Sequence, residues 1–90
     1  MKSDKKTTLL IADDNKGFCE LVKESFSKES DMEVLGVAYD GVEVIDKVTD
    51  LKPDVIILDL IMPNLDGLGV IEHLVKNEDK PKIIVLSAVG

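Results

Sequence analysis

The chain predicts a doubly wound α/β fold, in which helices cover both faces of a parallel sheet. Three observations carry that prediction. Four short apolar runs are separated by segments of helical spacing. Three of the runs are continuous in Val, Ile and Leu with little alternation, as in strands buried on both faces. The intervening segments repeat apolar residues at i, i+3, i+4 and i+7 or i+8, the stripe of a helix lying on a sheet.

Residues 1–7 are polar and are expected to form a disordered tail. The first strand is Thr8-Leu9-Leu10-Ile11-Ala12, and the stripe Phe18, Leu21, Val22 and Phe26 predicts the first helix. A second strand covers 33–38. The turn Asp40-Gly41 then leads into a helix striped by Val44, Ile45, Val48 and Leu51 or Lys52, which Pro53 ends. The third strand is Val55-Ile56-Ile57-Leu58. Val70, Ile71, Leu74 and Val75 predict a third helix with Asp66 as its cap, and Pro81 separates it from a fourth strand at 82–86. The order β-α-β-α-β-α-β implies right-handed βαβ units in a single domain over 8–90. The chain stops at Gly90, where another helix would be expected to begin, so the expectation is a domain cut short with one bare sheet edge.

Composition narrows the function. Hydrophobic residues make up 44% and charged residues 32%, which is ordinary for a folded globular chain. A net charge of −7 argues against nucleic-acid binding by this segment and against docking on an anionic membrane. The single Cys19 has no disulfide partner within the chain and is expected to be a small apolar packing residue. No apolar run approaches the ~18 to 20 residues that span a bilayer, and no signal-peptide pattern opens the chain, so the expected location is the cytoplasm.

The chemistry lies where the apolar runs end. Asp13 and Asp14 follow the first strand, Asp59 follows the third, and the hydroxyl of Ser87 follows the fourth. Ligands of doubly wound sheets bind outside the carboxyl ends of the strands, at the point where strand order reverses. Gathered carboxylates repel one another unless a cation or proton relieves them. With no His or Cys beside them, hard oxygen donors favour Mg²⁺, with Mn²⁺ or Ca²⁺ as substitutes. A metal there would let a phosphoryl group approach a carboxylate nucleophile. The competing reading is structural: Asp13 and Asp14 cap the first helix, and Asp59 sits in a solvated turn.

Three stretches carry a family resemblance: Ala12-Asp13-Asp14-Asn15, the run from Val55 through Asp59 and Pro63 to Gly67, and Ile84-Val85-Leu86-Ser87-Ala88. Together they resemble the receiver domain of bacterial two-component response regulators over residues 8–90. The resemblance implies a flavodoxin-like sheet of order 2-1-3-4 with the fifth strand missing. It makes Asp59 the phosphoacceptor, served by a histidine kinase or phosphotransferase protein. Asp13, Asp14, Asp59 and the backbone carbonyl of Ile61 would hold Mg²⁺, and Ser87 would be the switch hydroxyl. Pro63 and Gly67 would shape the loop after the acceptor.

Within the family, the wording at Gly36–Gly41 and Leu60–Leu68 is most similar to regulators of sporulation in endospore-forming bacteria. That similarity implies a transcription-factor output with a DNA-binding domain outside this segment. The family's fifth-strand lysine has no counterpart here, because Lys80 and Lys82 lie before and at the very start of the fourth strand, not at the matching position. That departure leaves open a fragment that binds a divalent ion without being phosphorylated, and one that dimerises or exchanges strands through its exposed edge. An aspartyl-phosphate hydrolase is a weaker alternative, because the position two after Asp59 is the apolar Ile61 rather than an acid. The domain is therefore not expected to be an enzyme. His73 is read as a solvated helical side chain, and Met32 and Met62 as packing residues.

Overall fold

The computed structural model describes residues 6–59, 67–76 and 81–86. Ser87, Ile61, Pro63, Lys80 and the expected cap at Asp66 lie outside them. The elements follow the predicted alternation: β1 (Thr7–Ala12), α1 (Lys16–Ser27), β2 (Met32–Ala38), α2 (Gly41–Leu51), β3 (Val55–Asp59), α3 (Gly67–Leu74) and β4 (Lys82–Leu86). All four strands are parallel and form one sheet in the order β2-β1-β3-β4. β1 starts one residue earlier than expected, because the Thr7 N–H donates to Asp31 O and Thr7 pairs with Met32.

Side-chain alternation along β1 and β3 divides the core in two. Leu10, Ala12, Ile56 and Leu58 pack with Ala38 and with Val44 and Val48 of α2 and Val70 and Leu74 of α3. Ile11 and Val37 face the other way, against Cys19 of α1, with Val22, Val34 and Tyr39 around them. Full burial of a Leu or Ile contributes about 1.5–3 kcal/mol, so among the described residues the α2–α3 face holds the larger apolar cluster. The β1–β2 register slips once: Leu9 pairs with Val34 but Leu10 with Gly36, leaving Leu35 as an extra residue in β2. The slip brings Ala12 opposite Ala38, so the ladder reaches the end of both strands.

The helix ends follow local chemistry. Asn15 caps α1, its side chain accepting from the Phe18 N–H at 3.0 Å. Asp40 caps α2 by accepting from the Glu43 N–H at 2.8 Å, and the Glu43 carboxylate reaches back to the Tyr39 N–H at 2.6 Å. α2 stops at Lys52, which takes the left-handed conformation (φ 50°) and donates its N–H to Val48 O just before Pro53. At the opposite end of the sheet from the acids, the Thr8 N–H and hydroxyl both donate to Asp54 Oδ2, and the Asp54 N–H donates back to Thr8 Oγ1.

Three expectations about burial are corrected. Leu21 of the α1 stripe is 61% exposed, and Cys19 is fully buried in its stead, because the face of α1 that meets the sheet centres on Cys19. Val75 lies beyond the end of α3 and is half exposed. β4 is not covered on both faces: Ile84 and Val85 are 52% and 41% exposed, and among the described residues the strand pairs only with β3.

Candidate functional site

Register alone aligns the acids. Ala12 pairs with Leu58 across β1 and β3, so the next position on each strand, Asp13 and Asp59, falls side by side at the carboxyl edge. From β1 the chain runs through α1 to β2 on one side, then crosses by α2 to β3 on the other. The β1–β3 junction is therefore the crevice where strand order reverses. Asp13, Asp14 and Asp59 each offer a carboxylate oxygen there, all within 4.8 Å of one another.

The three acids are differently seated. Asp13 is buried, Asp59 half-buried at the end of β3, and Asp14 exposed. Asp13 is held at its backbone and at one carboxylate oxygen. Its N–H donates to Ala38 O at 3.0 Å, its carbonyl accepts from the Cys19 thiol at 3.3 Å, and its Oδ1 accepts from the Asn15 N–H at 2.9 Å. Burial raises the Asp13 pKa above the ordinary carboxylate value. The Asn15 N–H opposes that shift, and the negative charges of Asp59 and Asp14 add to it. Cys19, behind the site, has its thiol pushed up to about 11, first by burial and then by the charge of Asp13.

This geometry bears on the structural alternative for the acids. The residue that caps α1 is Asn15, not Asp13 or Asp14. Asp59 belongs to β3 rather than to a turn. The donor set fits a hard divalent cation: three carboxylates, one of them partly desolvated, with no nitrogen or sulfur ligand in the cluster among the described residues. Mg²⁺ keeps several waters and completes its shell with phosphate oxygens, which suits a site open on the Asp14 side.

Other side chains frame the crevice without joining it. Lys47 Nζ donates to Val37 O at 2.6 Å, and Lys16 Nζ stands 5.3 Å from the centre of the Tyr39 ring. Both stabilise the end of β2. Lys82 opens β4 opposite Val55, at the far end of the sheet from the acids. His73 is exposed on α3. Nothing in the sequence marks the Cys19–Asp13 contact, and Asn15 is marked only by its place, as a neutral cap residue directly after an acid pair.

A doubly wound parallel sheet with an acid triad at its switch point defines the class of module, and comparison with known proteins gives the family. Residues 9–90 match the model of the response regulator receiver domain, and the chain belongs to that family. It is 40% identical over 82 residues to protein-glutamate methylesterase/protein-glutamine glutaminase 5 of Myxococcus xanthus (strain DK1622), covering 91% of this chain but 24% of that protein. The response regulator domain of Thermotoga maritima CheB superposes with a TM-score of 0.88 at 33% identity, covering 93% of this chain and 62% of that one. RcsB of Salmonella enterica serovar Typhimurium, bound to promoter rprA with the phosphomimetic BeF₃⁻, gives a TM-score of 0.84 at 26% identity, covering 94% of this chain and 72% of that one. The chain thus spans about a quarter of the curated relative and under two thirds of the CheB domain. No helix among the described residues is long and apolar enough to cross a membrane.

Proposed function

We propose that this receiver accepts a phosphoryl group on Asp59 and thereby gates an output. The observation that carries the reading is the convergence of three carboxylates at the β1–β3 junction while Asn15 takes over the capping of α1. In the reaction a carboxylate oxygen of Asp59 attacks phosphorus in line. The bond from phosphorus to the donor imidazole nitrogen breaks, and the imidazole leaves as the neutral base after taking up a proton. The product is an acyl phosphate on Asp59. When bound, Mg²⁺ supplies charge neutralisation and orients the phosphoryl oxygens. Asp13, Asp14, Asp59 and the Ile61 carbonyl would hold it, and the Ser87 hydroxyl would donate to a phosphoryl oxygen. The donor is a histidine kinase or a phosphotransferase protein, and Asp59 acts once per phosphoryl group, without turnover.

Two observations bear on the output. The wording at Gly36–Gly41 and Leu60–Leu68 favours a sporulation transcription factor, with DNA binding by a separate domain. The Myxococcus relative favours a methylesterase. In either case the receiver, which carries the net charge of −7, does not itself bind nucleic acid or membrane. The expected location is the cytoplasm.

Incubation with acetyl phosphate and Mg²⁺, followed by intact-mass measurement, tests the reading. One phosphoryl group per chain is expected, and none on Asp59→Asn. Equal uptake by the variant contradicts the assignment, and no uptake by either chain favours the divalent-ion-binding alternative. Among the described residues β4 pairs only with β3, and the 90-residue chain is expected to self-associate along that strand at high concentration. Light scattering that stays monomeric would remove that expectation.

A further inference from the structure

We propose that Asn15 is a positioning residue for divalent-cation binding, acting through the carboxylate of Asp13. The proposal rests on the reading of the acid site given above. Asn15 forms three contacts. Its N–H reaches back to Asp13 Oδ1 at 2.9 Å, its side-chain oxygen reaches forward to the Phe18 N–H at 3.0 Å, and its carbonyl accepts the Cys19 N–H at 3.0 Å. The backbone at Asn15 is extended (φ −89°, ψ 104°) and is held there by the capping bond.

The direction of its N–H is therefore set by the side-chain cap. With Asp13 Oδ1 anchored, rotation of that carboxylate is fixed, and so is the direction in which it presents lone pairs to a cation. The Asp13 backbone is already held by Ala38 O and the Cys19 thiol. Asn15 thus controls the remaining freedom of the only buried acid in the triad. An Asp would cap equally well but would add a fourth negative charge beside three others, whereas Asn caps without charge. Outer partners of metal ligands typically change affinity about 10–100-fold when removed.

Calorimetric titration with MgCl₂ of the 90-residue chain and its Asn15→Ala, Asn15→Gly and Asn15→Ser variants tests this, alongside melting of each metal-free chain. Gly is a near-neutral cap, so that variant keeps its fold if Asn15→Ala does not. The expected result is Mg²⁺ binding weakened by roughly tenfold in the Ala and Gly variants, well below their melting temperatures, and restored by Ser, which caps as Asn does. Unchanged affinity in Ala and Gly, or a Ser variant as weak as Ala, overturns the role of Asn15 while leaving the site standing. A parent chain that binds no Mg²⁺ overturns the site itself.

Discussion

At Asp13, burial, a backbone donor and two neighbouring carboxylates act on one group, and the net effect raises its pKa. A carboxyl that holds its proton more tightly when folded favours folding at acid pH. That contribution is fully present below the ordinary carboxylate range and is lost as pH rises through the raised value. At neutral pH and without metal, Asp13 therefore costs stability. Asp13→Asn keeps an oxygen for the Asn15 N–H and is expected to melt at a higher temperature than the parent near neutral pH. The difference should shrink in acid, and Mg²⁺ should no longer stabilise the variant. Thermal melts across pH with and without Mg²⁺ check both points. At Cys19 the thiol is buried, and burial pushes its pKa up to about 11, so little thiolate forms at physiological pH. Alkylation of the native chain should be slow and limited by unfolding, and denaturant should accelerate it. Prompt labelling of the native chain would contradict the burial. The acids were legible in the sequence because strand ends are written in hydrophobic runs. The contacts of Cys19 and Asn15 with Asp13 were not, since they depend on how α1 folds back over the end of β1.

Among the elements, α2 shows how termini are specified. Asp40 and Glu43 satisfy the N–H groups of Glu43 and Tyr39, and Asp40→Ala is expected to cost about 1 kcal/mol in chemical denaturation. At the other end, Lys52 sits at φ 50°, a conformation that costs an L-residue roughly 1–2 kcal/mol. Lys52→Gly removes that penalty but adds unfolded-chain entropy, so a net gain of about 0.5–1 kcal/mol is expected. A loss of stability on that substitution would contradict the left-handed cap. The stop at Pro53 was readable one residue away, but the left-handed turn was not, because Lys carries none of the signal that Gly would. The stripe of α1 was displaced for a related reason. Leu21 has the right spacing and type for the core, yet the crossing of α1 over β1 and β2 turns Cys19 inward and leaves Leu21 exposed. The extra residue in β2 was invisible, since Val34-Leu35-Gly36-Val37 reads the same with or without a slip.

At the scale of the whole molecule, stability is unevenly distributed between the two faces of the sheet. Ile56 is fully buried in the larger cluster beneath α2 and α3, and Ile56→Ala is expected to cost about 2–5 kcal/mol. Total stabilities are about 5–15 kcal/mol, so that single change would remove a large share of it. Val22→Ala on the α1 face, where the cluster has three buried members, should cost less. Comparing the two by urea denaturation tests the asymmetry. Fold class and strand order were legible because alternating β and α segments leave few topologies open. A bare edge beside the fourth strand was expected, but the exposure of Ile84 and Val85 on its faces was not, because a continuous apolar run reads as buried whether or not a neighbour covers it.

The central claim is that Asp13, Asp14 and Asp59 form a working acceptor site, and an amide NMR spectrum of the labelled chain tests it most directly. On addition of Mg²⁺ and beryllofluoride, a mimic of the acyl phosphate, resonances of Asp13, Asp14, Asn15, Asp59 and Ser87 are predicted to shift while those at Thr8 and Asp54 stay in place. A well-dispersed spectrum that does not respond would contradict the account, leaving a folded sheet whose clustered acids accept no phosphoryl group.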